Sequence, residues 1–117
     1  MLRLPRDALS RFPGGIDAAC EEACACAGAL LKMGLPVYSP IAHGHPIALA
    51  AKIDPCDPEI WLPVCRPMFE AAFGLMVLSM RGWRESHGMG EELKWAAELR
   101  KPRFLVDPTT CSWQALP

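Results

Sequence analysis

Gly74-Leu75-Met76-Val77-Leu78-Ser79-Met80 is a run of apolar and small residues without a single charge. It lacks the alternation of a strand with one wet face, so it reads as a strand buried on both faces, as in parallel sheets. Working outward, 68–72 reads as the end of a helix that leads into this strand. Beyond it, 81–87 reads as a loop and 88–100 as a helix, after which 102–106 forms another short apolar strand. Upstream, Ile16, Ala19, Cys20, Ala23, Ala27, Leu30 and Leu31 recur at three- and four-residue spacing, while Asp17, Glu21, Glu22 and Lys32 fall elsewhere on the wheel. That pattern is an amphipathic helix over 16–31. Gly34 stands where a left-handed cap is needed, and 35–39 then offers a short strand that Pro40 ends. Helix, glycine, strand is the rhythm of an α/β protein.

The stretch 40–67 holds Pro40, Pro46, Pro55, Pro58, Pro63 and Pro67, a density that predicts mostly loop with short helical pieces. A loop of that length in a small domain is usually functional. The tail 108–117 shows no clear period. No internal repeat or low-complexity tract occurs, so 1–117 reads as one domain.

Composition narrows the function. The 117 residues carry 12 Lys plus Arg against 13 Asp plus Glu, with 51% apolar and 21% charged residues, which excludes disorder as the main state. A net charge of -1 gives no basic footprint for nucleic acid or an anionic membrane. The apolar run 71–80 is far too short to span a bilayer, which takes roughly 20 residues. Arg3, Arg6 and Arg11 are followed by no apolar signal-peptide core, so a cytoplasmic protein is expected. Six cysteines occur without a CxxC pair, and Cys20, Cys24 and Cys26 sit among alanines on a helix. Reduced, packing thiols are expected, with no metal held by them or by His43 and His45, and no cofactor.

In an open parallel sheet the binding crevice lies beyond the carboxyl ends of the strands, where both 39–45 and 81–90 would project. The second of these reads Gly82-Trp83-Arg84-Glu85-Ser86-His87-Gly88-Met89-Gly90-Glu91-Glu92-Leu93. Gly88 and Gly90 remove side chains, so backbone N–H groups and the Ser86 hydroxyl can hold a phosphate at a helix start. Glu92, placed by this reading in the first turn, would be kept ionised by the helix dipole. The bland alternative is ordinary capping by Ser86 or Gly88, with Glu91 and Glu92 merely complementing the dipole. Ser39 opens the other loop, and His43 and His45 flank Gly44 within it. Their imidazoles suit donation to a base, phosphate or leaving group, or else they satisfy backbone groups. Tyr38, Trp61 and Trp83 are candidates to stack on a nucleobase, against plain packing beside the core.

Ser86-x-Gly88-x-Gly90-x-Glu92-Leu93 resembles the signature of nucleoside 2-deoxyribosyltransferase-like proteins, which include 2′-deoxynucleoside 5′-monophosphate N-glycosidases. The resemblance also takes in Tyr38-Ser39-Pro40-Ile41-Ala42-His43-Gly44-His45-Pro46-Ile47, Trp61, the strand 75–78 and Gly82-Trp83. It runs over 30–106 and is shared with a small bacterial branch of that superfamily. It implies a flavodoxin-like or Rossmann-like, mostly parallel sheet of about four strands flanked by helices. It further implies a homodimer, because family members complete their pockets across subunits. The implied ligand is a nucleoside or nucleotide, with Glu92 as nucleophile in N-glycosidic hydrolysis or deoxyribosyl transfer. Ser86, Gly88, Gly90, Ser39, His43, His45, Trp61 and Trp83 would bind it.

Two departures stand out. Family members open with an apolar strand, whereas this chain opens Met1-Leu2-Arg3-Leu4-Pro5, so that strand is degenerate or missing: a piece is absent, 2–4 pairs weakly, or the element is lost. Relatives of the branch place an aspartate four residues after the tryptophan, which here is Cys65 after Trp61. A thiol is no substitute for a carboxylate at neutral pH unless strongly acidified. These departures keep two other readings open, a non-catalytic nucleotide-binding or sensor protein on the same fold and a purely structural interaction protein.

Overall fold

The computed structural model describes residues 1–3, 15–80 and 87–117. Its elements run β1 (Leu2–Arg3), α1 (Gly15–Lys32), α2 (Pro40–Ala51), α3 (Pro58–Ala71), β2 (Leu75–Leu78), α4 (His87–Glu98), β3 (Arg103–Val106) and β4 (Trp113–Ala115). The strands form one sheet in the order β1-β2-β3-β4. β1 lies parallel to β2 with Leu2 opposite Met76, and β2 lies parallel to β3 with Leu78 opposite Val106. β4 runs antiparallel to β3, so the α/β sheet is mixed.

Strand alternation sorts the core into two halves. Leu2, Leu78 and Val106 meet Ala19, Ala23, Cys26 and Leu30 of α1 and Ile41 of α2. Leu75 and Val77 meet Phe69 of α3 and Met89 and Ala96 of α4. Helices therefore cover both faces, which is why 74–80 carries no polar alternation. The reading of α1 holds to within a residue at each end, and Gly34 has the expected positive φ of 89°.

The proline-rich stretch departs from expectation, because it holds two helices rather than mostly loop. Pro40 and Pro58 occupy the first helical turn, where a missing N–H costs nothing. Ser39 and Asp57 cap those turns, their side chains accepting from Ala42 N and Glu59 N. Pro46, Pro63 and Pro67 lie inside helices and each removes an internal bond. Burial of Ile41 and His45 on α2, and of Trp61, Cys65 and Phe69 on α3, offsets that loss. Conversely, 35–39 is not a strand. Pro36 has no N–H to give a ladder, and the stretch is joined to β1 by one bond, Leu2 N to Tyr38 O at 2.8 Å. The N-terminal strand is present: among the described residues it takes in Leu2–Arg3, with Leu2 buried. The tail read without a period contributes the exposed β4.

One glycine sets how closely two strands approach. A Cβ on Gly74 would stand 2.8 Å from the Pro102 carbonyl oxygen, the same atom that accepts from Leu75 N at 2.9 Å. Gly74→Ala is expected to destabilise the domain by about 1–3 kcal/mol, because backbone must move at the entrance of β2 and β3. Urea denaturation followed by circular dichroism measures it; an unchanged midpoint would show that the two strands separate at no cost.

Candidate functional site

Along α4, Met89, Glu92 and Ala96 follow one another at helical spacing on the face turned to the sheet, exposed by 2%, 2% and 0%. A carboxylate is almost never that deeply buried, since removing it from water costs several kcal/mol unless polar partners or protonation compensate. Its neighbour Glu91 lies nearer solvent and pairs with Lys94 at 3.2 Å. Because α4 begins at His87, Glu92 falls in the second turn rather than the first. Dipole stabilisation fades beyond the first turn, so the expected dipole argument passes to Gly88 and Gly90 instead. Among the described residues, a Cβ on Gly90 would meet nothing within 4 Å beside this first turn. Ser86 and Trp83 lie outside the described residues, and so does most of the expected 81–87 loop.

His43 and His45 stand within α2, not in a loop. His43 is exposed, and its ring centroid lies 6.0 Å from that of Tyr38. Tyr38 in turn packs against the cluster that contains Met89, one turn before Glu92. His45 is buried and turns the other way: its Nε2 lies 2.7 Å from Asp17 Oδ1 on α1. Its Nδ1 is buried and finds no hydrogen-bond partner among the described residues. Of the two imidazoles, His43 is thus the one associated with the side of the sheet that carries Glu92.

Ser39 is buried and spends its hydroxyl on capping α2, accepting from Ala42 N at 3.5 Å. Trp61 is buried too, donating Nε1–H to Asp54 O at 2.8 Å. A Cβ on Gly44 would come within 3.1 Å of the Trp61 ring, so the indole fills the α2–α3 contact. Trp61 thus packs between α2 and α3.

Cys65 is buried one turn after Trp61 and one turn before Phe69. The other carboxylates near it in sequence have local work. Asp54 Oδ1 accepts from Cys56 N at 2.9 Å, Asp57 caps α3, and Glu70 accepts from Arg66 Nε at 2.8 Å. Among the described residues, no three His, Cys, Asp or Glu side chains gather as a metal site.

Sequence reasoning missed the Asp17–His45 pair. Asp17 sits on the polar side of the α1 wheel and 28 residues away, and no periodicity joins the two.

The family described as "Domain of unknown function (DUF1937)" matches residues 12–107. No curated protein and no solved structure matches the chain.

Proposed function

The chain belongs to the DUF1937 family, and from that starting point we propose that it binds a nucleoside or nucleotide and cleaves its N-glycosidic bond through Glu92. The observation that carries this reading is the buried carboxylate on α4, the helix that follows the parallel strand β2. Buried titratable groups near strand ends are where active sites concentrate. The resemblance of 86–93 to nucleoside 2-deoxyribosyltransferase-like proteins supplies the reaction class, and with it a flavodoxin-like or Rossmann-like arrangement.

In this mechanism a Glu92 oxygen attacks the anomeric carbon as the bond to the base nitrogen breaks, and the base leaves with a proton. Water, or a second base in transfer, then releases the glycosyl ester. Ser86 and the amides of Gly88 and Gly90 hold the phosphate. His43, beside Tyr38, is the donor for the leaving base, and Ser39 and Trp61 shape the wall behind it, while His45 stays paired with Asp17. Incubating the protein with a panel of deoxynucleosides and their 5′-monophosphates, then chromatographing for free base, tests the proposal. No base from any member would overturn it.

Cys65, which is buried, favours a second reading, nucleotide binding without catalysis, because the resemblance to the deoxyribosyltransferase-like proteins implies an aspartate at its position. Thermal shift with the same panel separates the two: ligand stabilisation without base release selects the binding protein. If the missing carboxylate limits turnover, Cys65→Asp is expected to raise base release over wild type in the same chromatographic assay. A flat response would place the defect in the N-terminal wall of the pocket instead.

Among the described residues no helix is long and apolar enough to cross a membrane. The proposed setting is cytoplasmic and the proposed assembly a homodimer, which light scattering of the purified protein checks. No nucleic-acid or membrane partner is part of the proposal.

A further inference from the structure

On α3 the residues turned to the core are Trp61, Cys65 and Phe69. On the other side Ile60, Pro63, Val64, Pro67, Met68 and Ala71 follow one another at helical spacing, and all six are exposed. A helix of a globular domain turns a polar face to water. α3 is instead apolar on both faces. Its three charged residues, Glu59, Arg66 and Glu70, fall together on the wheel, in a narrow band along one edge of the outer stripe.

That band borders α4, because Arg66 covers the Trp95 ring at 4.8 Å and pairs with Glu70 at 2.8 Å. The opposite edge borders α2, where the Trp61 ring lies against Gly44. Ile47 and Ala51, three and seven residues after Gly44, share its side of α2 and are exposed. No Asp, Glu, Lys or Arg occurs over 40–51. Apolar surface depleted of charge across neighbouring helices marks a contact that is covered in use. Pro63, Pro67 and Ala71 also give up no side-chain freedom when covered.

We propose that this face of α3, widened by Ile47 and Ala51 of α2, docks a second copy of the chain, with the two α3 helices antiparallel about a two-fold axis beside residues 62 and 63. Charge selects both the occupant and the register. Glu59 and Arg66 stand equally far from the point between Leu62 and Pro63, so the two-fold sets Arg66 of each copy level with the partner's Glu59, on the same edge of the contact. Ile60 of each copy then enters the space between the partner's Val64 and the partner's Pro67. Area points to the same extent of surface. A stable dimer takes roughly 800 Å² from each partner, about an eighth of the 6791 Å² that the chain exposes. One face of a four-turn helix is too narrow for that, which is why α2 belongs to the contact. A membrane surface fits less well, since the charged band holds two carboxylates against one guanidinium and anionic lipid repels it. The inference rests on the homodimer part of the reading above and not on the N-glycosidic reaction.

Sedimentation equilibrium of the purified full chain tests it. The wild type is expected at twice 12.8 kDa. Val64→Glu, at a position already 41% exposed, is expected at 12.8 kDa with an unchanged circular dichroism spectrum. Leu31→Glu, equally a new charge but on exposed α1 surface, stays dimeric. Glu59→Arg and Arg66→Glu each weaken association about tenfold, and the double reversal restores it. Should Val64→Glu lose its helical spectrum, the charge-reversal series decides alone. A wild type that sediments at 12.8 kDa would overturn this inference together with the homodimer. A dimer that survives Val64→Glu would overturn the α3 face and leave the homodimer standing, and a double reversal as weak as either single change would overturn the antiparallel register.

Discussion

Glu92→Gln is expected to lower base release on the order of 10³-fold or more while leaving nucleotide-induced thermal stabilisation nearly intact. The amide keeps the shape of the carboxylate, so it can occupy the same 2%-exposed place on α4. It is a far poorer nucleophile, however, and cannot balance the positive charge that develops on the sugar. The melting temperature of the ligand-free variant reads what the lost charge costs the fold. A catalytic defect is thereby separable from an unfolding defect in one pair of measurements. Glu91→Gln serves as the control, because Glu91 pairs with Lys94 nearer the surface and its loss should change little. Equal rates for wild type and Glu92→Gln would reject the nucleophile assignment outright.

Phe69→Ala is expected to cost about 3–5 kcal/mol, a large part of the roughly 5–15 kcal/mol that holds such a domain together. Phe69 is completely buried and stands edge-on to Trp95 at 5.8 Å between ring centroids. The Lys101 ammonium lies 5.9 Å from its ring, while Arg66 covers the Trp95 ring at 4.8 Å. The substitution therefore opens a cavity between α3, α4 and the sheet and also removes an aromatic pair. Phe73→Ala, four residues on and 83% exposed, should change stability by a few tenths at most. Urea titration of both variants gives the comparison. Similar midpoints for the two would mean that α3 does not pack on this core.

Sequence patterning revealed α1, β2, β3 and α4, because each has a periodic or continuous apolar signal that matches its burial. It failed where local chemistry and tertiary packing disagree. Prolines at 46, 63 and 67 read as breakers, yet α2 and α3 persist because their inner faces are buried. β4 is exposed throughout and leaves no hydrophobic trace to follow. For the site, the glycines and the glutamate could be picked out, but not how deeply Glu92 lies. A carboxylate on an apolar stripe looks polar in sequence and shows its burial only once Met89 and Ala96 are seen beside it. The capping role of Ser39 and the packing role of Trp61 depend on helices that the prolines concealed.

The pairing of Leu2 with Met76 also shapes the route by which the chain folds. β2 and β3 are linked by one helix, and β4 follows β3 by a tight turn, so three of the four strands can assemble from neighbouring sequence. β1 must return across α1, α2 and α3 to find its place. Closing so long a loop before the first rung of the ladder forms carries a large entropic cost. The edge strand is accordingly the last piece of the sheet to be secured in folding and the first to be released in native-state opening, so amide exchange at Leu2 reports fluctuations well below the global unfolding limit.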